Sequence, residues 1–300
     1  MSWCDDFIRL FPQARLNEPM RRHSTYRIGG PADVYLEACS VADLVCLYRL
    51  TRRHKLPVLV LGWGSNLLVR DGGIRGVVVR LRGEFERVEM LGETIVRAGA
   101  AVRLPQLVMR CAERGLTGAE SLVGVPGTVG GGLVMNAGTP NGAIGDLVRA
   151  VEVFDPGSLK VRRLTRSRIR FAYRSSSLRK RIVIAGTLEL RRGIKVDIIK
   201  TVKDFQRQRQ KTQPIHTFNV GSVFKNPPGC FAAKLIQDAG LKGKTLRGAK
   251  VSDLHANFIE NYDHASAADV LELVAVIRDT VRKRTGIGLE LEMKVVGEKA

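Results

Sequence analysis

The sequence predicts an α+β fold, and three observations carry that expectation. Short apolar runs of strand character recur at Val34–Glu37, Val58–Leu61, Val77–Leu81, Arg87–Met90, Thr94–Ala98, Arg149–Phe154, Arg162–Leu164 and Ile182–Leu190, several of them parted by glycine turns. Helical periodicity is confined to a few segments that do not alternate regularly with the strands, so residues 76–192 do not read as a repeating βαβ unit. Near Lys195 the composition shifts to a long basic helix, which sets a domain boundary between residues 1–195 and 196–300. A chain of 300 residues with 44% hydrophobic content can bury two cores of useful size.

Each element has its own warrant. Residues 1–22 read as a helical lead-in. Ser24–Asp33, with Gly29-Gly30-Pro31 at its centre, is a polar turn feeding the strand Val34–Glu37. Ser40 followed by Asp43 resembles a capping box and opens a helix with Leu44, Leu47, Tyr48 and Thr51 on one face, ended by Pro57. A further helix spans Pro105–Arg114. The basic helix Val196–Gln210 is expected to turn Val196, Ile199, Val202 and Phe205 inward. A helix lies around Phe231–Ala239, and another runs from Ser266 to about Thr285, with Val270, Leu273, Val274, Ile277 and Val281 at helical spacing and Gly286 as its stop. The final strand, Leu289–Val296, alternates Leu289, Leu291, Met293 and Val295 inward against Glu290, Glu292 and Lys294.

Composition narrows the classes of function. The chain lacks the run of about 18 apolar residues needed to span a membrane, and its start lacks the order of a secretory signal, so cytoplasmic residence is expected. Five scattered cysteines without a CxxC pair argue against a disulfide framework or a zinc site, and no metal is expected. Lys plus Arg number 49 against 29 Asp plus Glu, a net +20. That excess raises nucleic-acid binding as an alternative. The basic residues are nevertheless dispersed, and aromatics, at 6%, are few for base stacking. An anion-attracting field for phosphorylated small molecules fits at least as well.

Two glycine-rich stretches stand out. Gly124–Gly138 sets six glycines among Val125, Val129, Leu133, Val134 and Met135. Glycines among buried-type residues mark a backbone that turns sharply or lets another body come close, either a flat ligand or a packed neighbouring strand. Gly62-Trp63-Gly64-Ser65-Asn66 follows the strand Val58–Leu61, and its main-chain N–H groups could face a phosphate. Leu67 replaces the third glycine of a dinucleotide fingerprint, so a plain strand turn stays open as the other reading.

The order of further motifs is more specific than any one of them. Thr25–Ala32, Leu61–Val69, Val125–Gly131, Met135–Gly138, Tyr173-Arg174, Gly221–Pro228, His255–Ile259 and the closing Glu290-Leu291-Glu292 follow one another along the chain. In that order, over about residues 20–297, the chain resembles the UDP-N-acetylenolpyruvoylglucosamine reductase (UDP-N-acetylmuramate dehydrogenase) family. The resemblance implies a two-lobed FAD-binding domain of the vanillyl-alcohol-oxidase type over residues 1–195, with lobes of about 1–80 and 81–195. It further implies a C-terminal α+β substrate-binding domain over 196–300. NADPH would reduce the flavin, and the UDP-sugar would then take the same pocket, in peptidoglycan-precursor synthesis.

By the same resemblance, Gly62, Trp63, Gly64, Ser65, Asn66 and Leu67 would meet the FAD pyrophosphate. Gly124, Pro126, Gly127, Thr128, Gly130, Gly131, Asn136, Ala137 and Gly138 would lie near its ring. Arg174 matches the family's charge-stabilising arginine, and its planar fork suits a carboxylate better than a lysine would. Ser222 matches the proton donor, and Glu292 the carboxyl group that stabilises the enolic intermediate. Tyr173, Lys225, Asn226, Gln213 and His255 are candidates for contacts to the UDP-sugar. Read without the family, each has a plainer role: Arg174 a solvated or ion-pairing arginine, Ser222 a turn residue, Glu292 a solvated strand face, His255 a buried or capping histidine. Asn66 and Asn136 could equally fix their own loops.

The chain departs from the family pattern in two places. Thr139-Pro140 stands where many relatives carry tyrosine, and Ser175-Ser-Ser-Leu-Arg replaces the usual residues after Arg174. The segment from Tyr173 to Ser222 leaves no room for a substrate-covering loop, as in the loop-less second subclass. A monomer or weak dimer is expected. Another FAD oxidoreductase of the same fold and a basic nucleic-acid-binding protein are the rival readings.

Overall fold

A computed structural model describes residues 3–300. The chain forms two compact units, each drawn from separate stretches of sequence. The first comprises residues up to Arg15 together with Tyr35–Trp63 and Val77–Arg209; the second comprises Leu16–Val34, Gly64–Gly76 and Gln210–Ala300.

The first unit carries helices α1 (Trp3–Leu10), α2 (Val41–Arg53), α3 (Leu104–Glu113), α4 (Val129–Met135), the single turn α5 (Ile144–Leu147), and α6 (Lys195–Thr212) as far as Arg209. Helix α2 begins where the sequence says it should. Ser40 accepts the Asp43 N–H, and the Asp43 carboxylate accepts the Ser40 N–H, so two orphan donors are satisfied reciprocally. The unit's main sheet is antiparallel, in the order Lys160–Thr165, Val148–Asp155, Ile182–Glu189, Ile95–Gly99, Val88–Met90. Its middle strand is buried along nearly its whole length, as a strand covered on both faces must be. At Gly186 of that strand a Cβ would come within 2.8 Å of Leu133 Cδ1, so the glycine admits α4 against the sheet.

Two features depart from the sequence reading. The lead-in is helical only over α1 among the described residues; Arg15–Pro19 is extended and Met20–Arg22 is one 3₁₀ turn. Pro12 and Pro19 lack the N–H donors that a continuous helix would need, and residues 1–2 of the expected lead-in lie outside the described residues. In α6 the inward positions are Ile198 and Val202, while Val196 is 73% exposed. Ile198 Cδ1 packs where a Cβ on Gly193 would sit, next to Thr117. That packing carries α6 with the first unit, so the chain leaves it at Arg209 rather than at residue 195.

The second unit holds α7 (Ala232–Asp238) and α8 (Ala267–Thr285), a three-stranded antiparallel sheet of Thr245–Leu246, Ala249–Val251 and Ile259–Asn261, and a parallel pair of Leu67–Val69 with Lys294–Val296. Val270, Leu273, Ile277 and Val281 of α8 are buried with Tyr26, Leu68, Val223, Phe224, Leu289 and Met293 in one core. Ser266 and Asp269 form a capping box on α8, and Gly286 ends it at φ +74°. The Asp71 carboxylate adds a distant cap, accepting the N–H groups of Ala267 at 2.9 Å and Ala268 at 3.0 Å. The closing strand is shorter than expected, pairing only over Lys294–Val296, although the alternation holds: Leu289 and Met293 are buried and Glu290 is exposed.

Candidate functional site

In the first unit, Gly124–Gly138 is neither a strand turn nor a continuous wall. Its centre is α4, opened by Thr128, whose Oγ1 accepts the Gly131 N–H. The glycines serve different neighbours. A Cβ on Gly130 would stand 2.9 Å from Ala100 Cβ, and one on Gly62 would stand 2.9 Å from Thr128 Oγ1. Gly131 is exposed and would meet only Thr128 Oγ1, at 3.6 Å. Leu104 N–H donates to Gly127 O, which ties the start of α3 to this stretch, while Ala137 is buried and its carbonyl accepts the Ile144 N–H. Gly138 pairs with Ala143 in a small hairpin, and Gly124 lies against the Arg209 side chain.

Gly62, Gly130 and Gly131 border a cavity of about 700 Å³, within the range of sites that enclose sizeable ligands. Gly62, Trp63, Thr128, Gly130 and Gly131 line it, together with Arg80, Arg103, Arg110, Arg179 and Arg181. The Arg103 guanidinium stacks over the Trp63 ring at 4.0 Å, close enough for an appreciable cation–π attraction. The cavity is thus lined by glycines and by several arginines. Sequence reading found the glycines but not Arg103, because the tryptophan it covers lies 40 residues earlier in the chain.

Arg174 sits on the other side of α4's environment, at the tip of a hairpin between Phe171–Ala172 and Ser175–Ser176. It occupies the left-handed region at φ +52°, unusual for a residue with a Cβ. Its guanidinium lies over the half-exposed Tyr173 ring, 5.0 Å from the centroid. Two bonds tie the hairpin to the glycine helix: Asn136 Nδ2 donates to Ala172 O at 3.0 Å, and Ser176 Oγ donates to Val134 O at 2.8 Å. Asn136 Oδ1 also accepts the Gly145 N–H, so both ends of that amide serve main-chain positions. Its part is to hold the Arg174 hairpin.

The second unit gathers the remaining motif residues. The chain division falls inside Gly62–Leu67, so Gly64, Ser65, Asn66 and Leu67 belong here while Gly62 and Trp63 belong with the first unit. Gly64 permits a close crossing: a Cβ there would lie 2.3 Å from His23 O, and its carbonyl accepts the Thr25 N–H. Asn66 Nδ2 donates to Glu292 O at 3.3 Å, and Asn66 O accepts the Lys294 N–H. The asparagine therefore fixes its loop to the segment that carries Glu292.

Ser222 and Glu292 lie on adjacent segments. Glu292 N–H donates to Val223 O at 2.9 Å, Lys225 N–H donates to Glu290 O at 2.8 Å, and Phe224 bridges Leu291 in antiparallel fashion. Val223 and Phe224 are buried, which anchors the strand while Ser222 stays partly accessible. Gly221 precedes it at φ +79°, its N–H bound by Asn219 Oδ1, and Asn219 O accepts Thr25 Oγ1–H at 2.7 Å. Lys225 forms an ion pair with Glu290. Asn226 Oδ1 accepts the Ala232 N–H at the start of α7. Gln213 lies where α6 gives way to the turn into Pro214, its carbonyl accepting the Ile215 N–H. His255 is half-buried; its Nδ1 accepts the Asn257 N–H at 3.3 Å, and burial pulls its pKa below the usual imidazole value, with Lys242 adding to the effect. It is held neutral, as the keeper of its own turn.

Comparison with known proteins gives a consistent match. Residues 213–296 match the model of the C-terminal domain of UDP-N-acetylenolpyruvoylglucosamine reductase, and residues 32–163 match an FAD-binding-domain model. The chain is 45% identical over 285 residues to UDP-N-acetylenolpyruvoylglucosamine reductase 2 of Symbiobacterium thermophilum, covering 94% of this chain and 92% of that protein. It is 46% identical over 288 residues to the reductase of Moorella thermoacetica, covering 95% and 94%. The crystal structure of the Thermus caldophilus reductase superposes with a TM-score of 0.81 at 37% identity, covering 94% of this chain and 98% of that one.

Proposed function

The chain belongs to the UDP-N-acetylenolpyruvoylglucosamine reductase family, and from that premise we propose the residues through which it acts. It is an FAD-dependent oxidoreductase that uses NADPH to reduce the enolpyruvyl ether of UDP-N-acetylglucosamine, a step of peptidoglycan-precursor synthesis. The cavity of the first unit fits the cofactor by its own chemistry. A glycine-lined wall accepts a flat ring system, and the guanidinium groups of Arg80, Arg103 and Arg110 suit a diphosphate. Gly62, Trp63, Thr128, Gly130 and Gly131 would hold it there, with Gly124, Pro126 and Gly127 contributing from their loop.

When bound, FAD supplies a hydride, replenished from NADPH, to the terminal carbon of the substrate's double bond. Charge then develops at the neighbouring carbon and its carboxylate, and Arg174 stabilises it. A planar cation on a tied hairpin costs little reorganisation at that moment. The Ser222 hydroxyl delivers the proton to that carbon and recovers one from solvent. Glu292 supports the enolic oxygen through its carboxyl group. Tyr173, Gln213, Lys225 and Asn226 make contacts to the UDP-sugar, the Lys225 charge being oriented by Glu290. Among the described residues no helix is long and apolar enough to cross a membrane. A role in precursor synthesis supports a cytoplasmic reaction, carried out by a monomer or weak dimer.

The observation that carries this assignment of roles is the bond from Glu292 N–H to Val223 O, one residue from Ser222. An anaerobic spectrum tests it. NADPH should bleach the flavin and the enolpyruvyl substrate should restore it. In Ser222→Ala bleaching should persist, while recovery should slow about 100-fold or more. Equal loss of both halves would reject the role given to Ser222.

A further inference from the structure

We infer that Asn257 is the positioning residue that aims the Ser222 hydroxyl, through a side-chain imitation of a β-strand on the free edge of the Ser222 strand. The inference rests on the role given to Ser222 above. The Val223–Lys225 segment has two edges. Along one it bonds to Glu290–Met293, through Glu292 N–H to Val223 O and Lys225 N–H to Glu290 O. Along the other no strand among the described residues pairs with it, and Asn257 takes that place. Its carbonyl accepts the Val223 N–H at 2.9 Å, its Oδ1 accepts the Phe224 N–H at 3.0 Å, and its Nδ2 donates to Phe224 O at 2.8 Å.

Only a primary amide offers one donor and one acceptor in a fork that complements a peptide group. Aspartate would present two acceptors to a carbonyl, alanine would present nothing, and glutamine would overreach by one carbon. Asn257 is 4% exposed, so water does not substitute for it. Its own place is fixed in turn: the Asn257 N–H is bound by His255 Nδ1, and Phe258 N–H donates to His255 O. The chain of support runs from the His255 turn to the Phe224 peptide and then to Ser222, two residues upstream. Gly221 sits at φ +79°, a backbone region that only glycine adopts without strain, so the direction of the Ser222 hydroxyl depends on the residues that follow it.

Proton delivery is the step that depends on this aim. The Ser222 O–H bond breaks as the carbon–hydrogen bond forms, the electron pair at that carbon being the former π pair of the double bond, displaced onto it when hydride adds to the terminal carbon. The serine oxygen then takes a proton from solvent. A misdirected hydroxyl leaves reduction of the flavin by NADPH unchanged, but slows capture of the charge developing on the substrate and lets solvent protonate the carbon from either face.

The test compares Asn257→Ala, Asn257→Asp, Ser222→Ala and, as a stability control in the same core, Val274→Ala, all as FAD-loaded enzyme. For Asn257→Ala, bleaching by NADPH should stay within about threefold of wild type, recovery with the enolpyruvyl substrate should slow by about tenfold or more, and product made in deuterium oxide should lose its single configuration at the new centre. Val274→Ala should show no such split. If Asn257→Ala folds poorly, Asn257→Asp, which keeps the acceptor for Phe224 N–H, should still show it. Equal slowing of both halves, or an unchanged recovery with configuration preserved, overturns the inference while Ser222→Ala keeps its own split. If Ser222→Ala shows no split, the role of Ser222 falls, and the inference with it.

Discussion

At the scale of single residues, Arg174 shows how a side chain proposed to stabilise charge is held against local preference. A residue with a Cβ at φ +52° is strained by about 1–2 kcal/mol, and the hairpin tolerates this because Asn136 and Ser176 tie it to α4. Glycine would relieve the strain, less about 0.5–1 kcal/mol of extra chain entropy. Arg174→Gly is therefore expected to leave stability unchanged or raise it by up to about 1 kcal/mol, while turnover falls by about 100-fold or more. Thermal unfolding and steady-state kinetics measure the two effects on one sample. A stability loss larger than about 1 kcal/mol would mean that the conformation is not strained. The tyrosine–arginine pair was legible in the sequence as part of a motif. Its left-handed backbone was not, because neither residue favours that conformation.

At the scale of elements, α4 separates two meanings of glycine that look alike in sequence. A Cβ added at Gly130 would stand 2.9 Å from Ala100 Cβ, which is not a flexible side-chain end, so Gly130→Ala should cost about 1–3 kcal/mol by overpacking. Gly131 has room on the cavity side. Gly131→Ala should leave the apoprotein as stable or slightly more so, as alanine favours helix, yet weaken FAD retention measured by flavin fluorescence. The reverse pattern would place the cofactor elsewhere. The main sheet carries a second element-scale test. Arg97 bonds both oxygens of Glu152 on a neighbouring region of the sheet, at 2.8 Å each. That hydrogen bonding, with the Arg97 charge, holds the Glu152 pKa below its ordinary value against the opposing effect of burial. A depressed carboxylate stabilises the fold fully above the unfolded pKa of about 4.3 and loses its contribution as pH falls through the lower folded value. Acid unfolding of Glu152→Gln should therefore lack one component of the wild-type decline below pH ~4.3, with a coupling of about 1 kcal/mol at neutral pH.

At the scale of the whole molecule, the second unit is not a contiguous C-terminal domain. Tyr26, Ile28 and Leu68 sit in its core, Leu67–Val69 pairs with its last strand, and Asp71 caps its longest helix. A fragment of residues 196–300 lacks all of these. Expressed alone, it should show little cooperative unfolding by circular dichroism. A sharp transition near that of the intact chain would restore the single boundary at residue 195 suggested by composition. Composition failed there because a basic helix marks a change of surface, not of core: Ile198 and Val202 carry α6 with the first unit despite its charge.

By itself the sequence determined where α2 begins, where α8 begins and ends, most of the strand segments, and the order of motifs that marks the family. Those signals are local: a cap needs a partner three residues away, and a periodic stripe needs only its own helix. Tertiary structure alone decided that the Trp63 face carries Arg103, that Asn136 secures the Arg174 hairpin, that Asp71 caps α8, and that Asn257 completes the strand bearing Ser222. Each joins residues far apart in the chain by a fork of donors and acceptors or by a planar stack. Such complementarity depends on distance and direction in space, which the spacing of letters does not record.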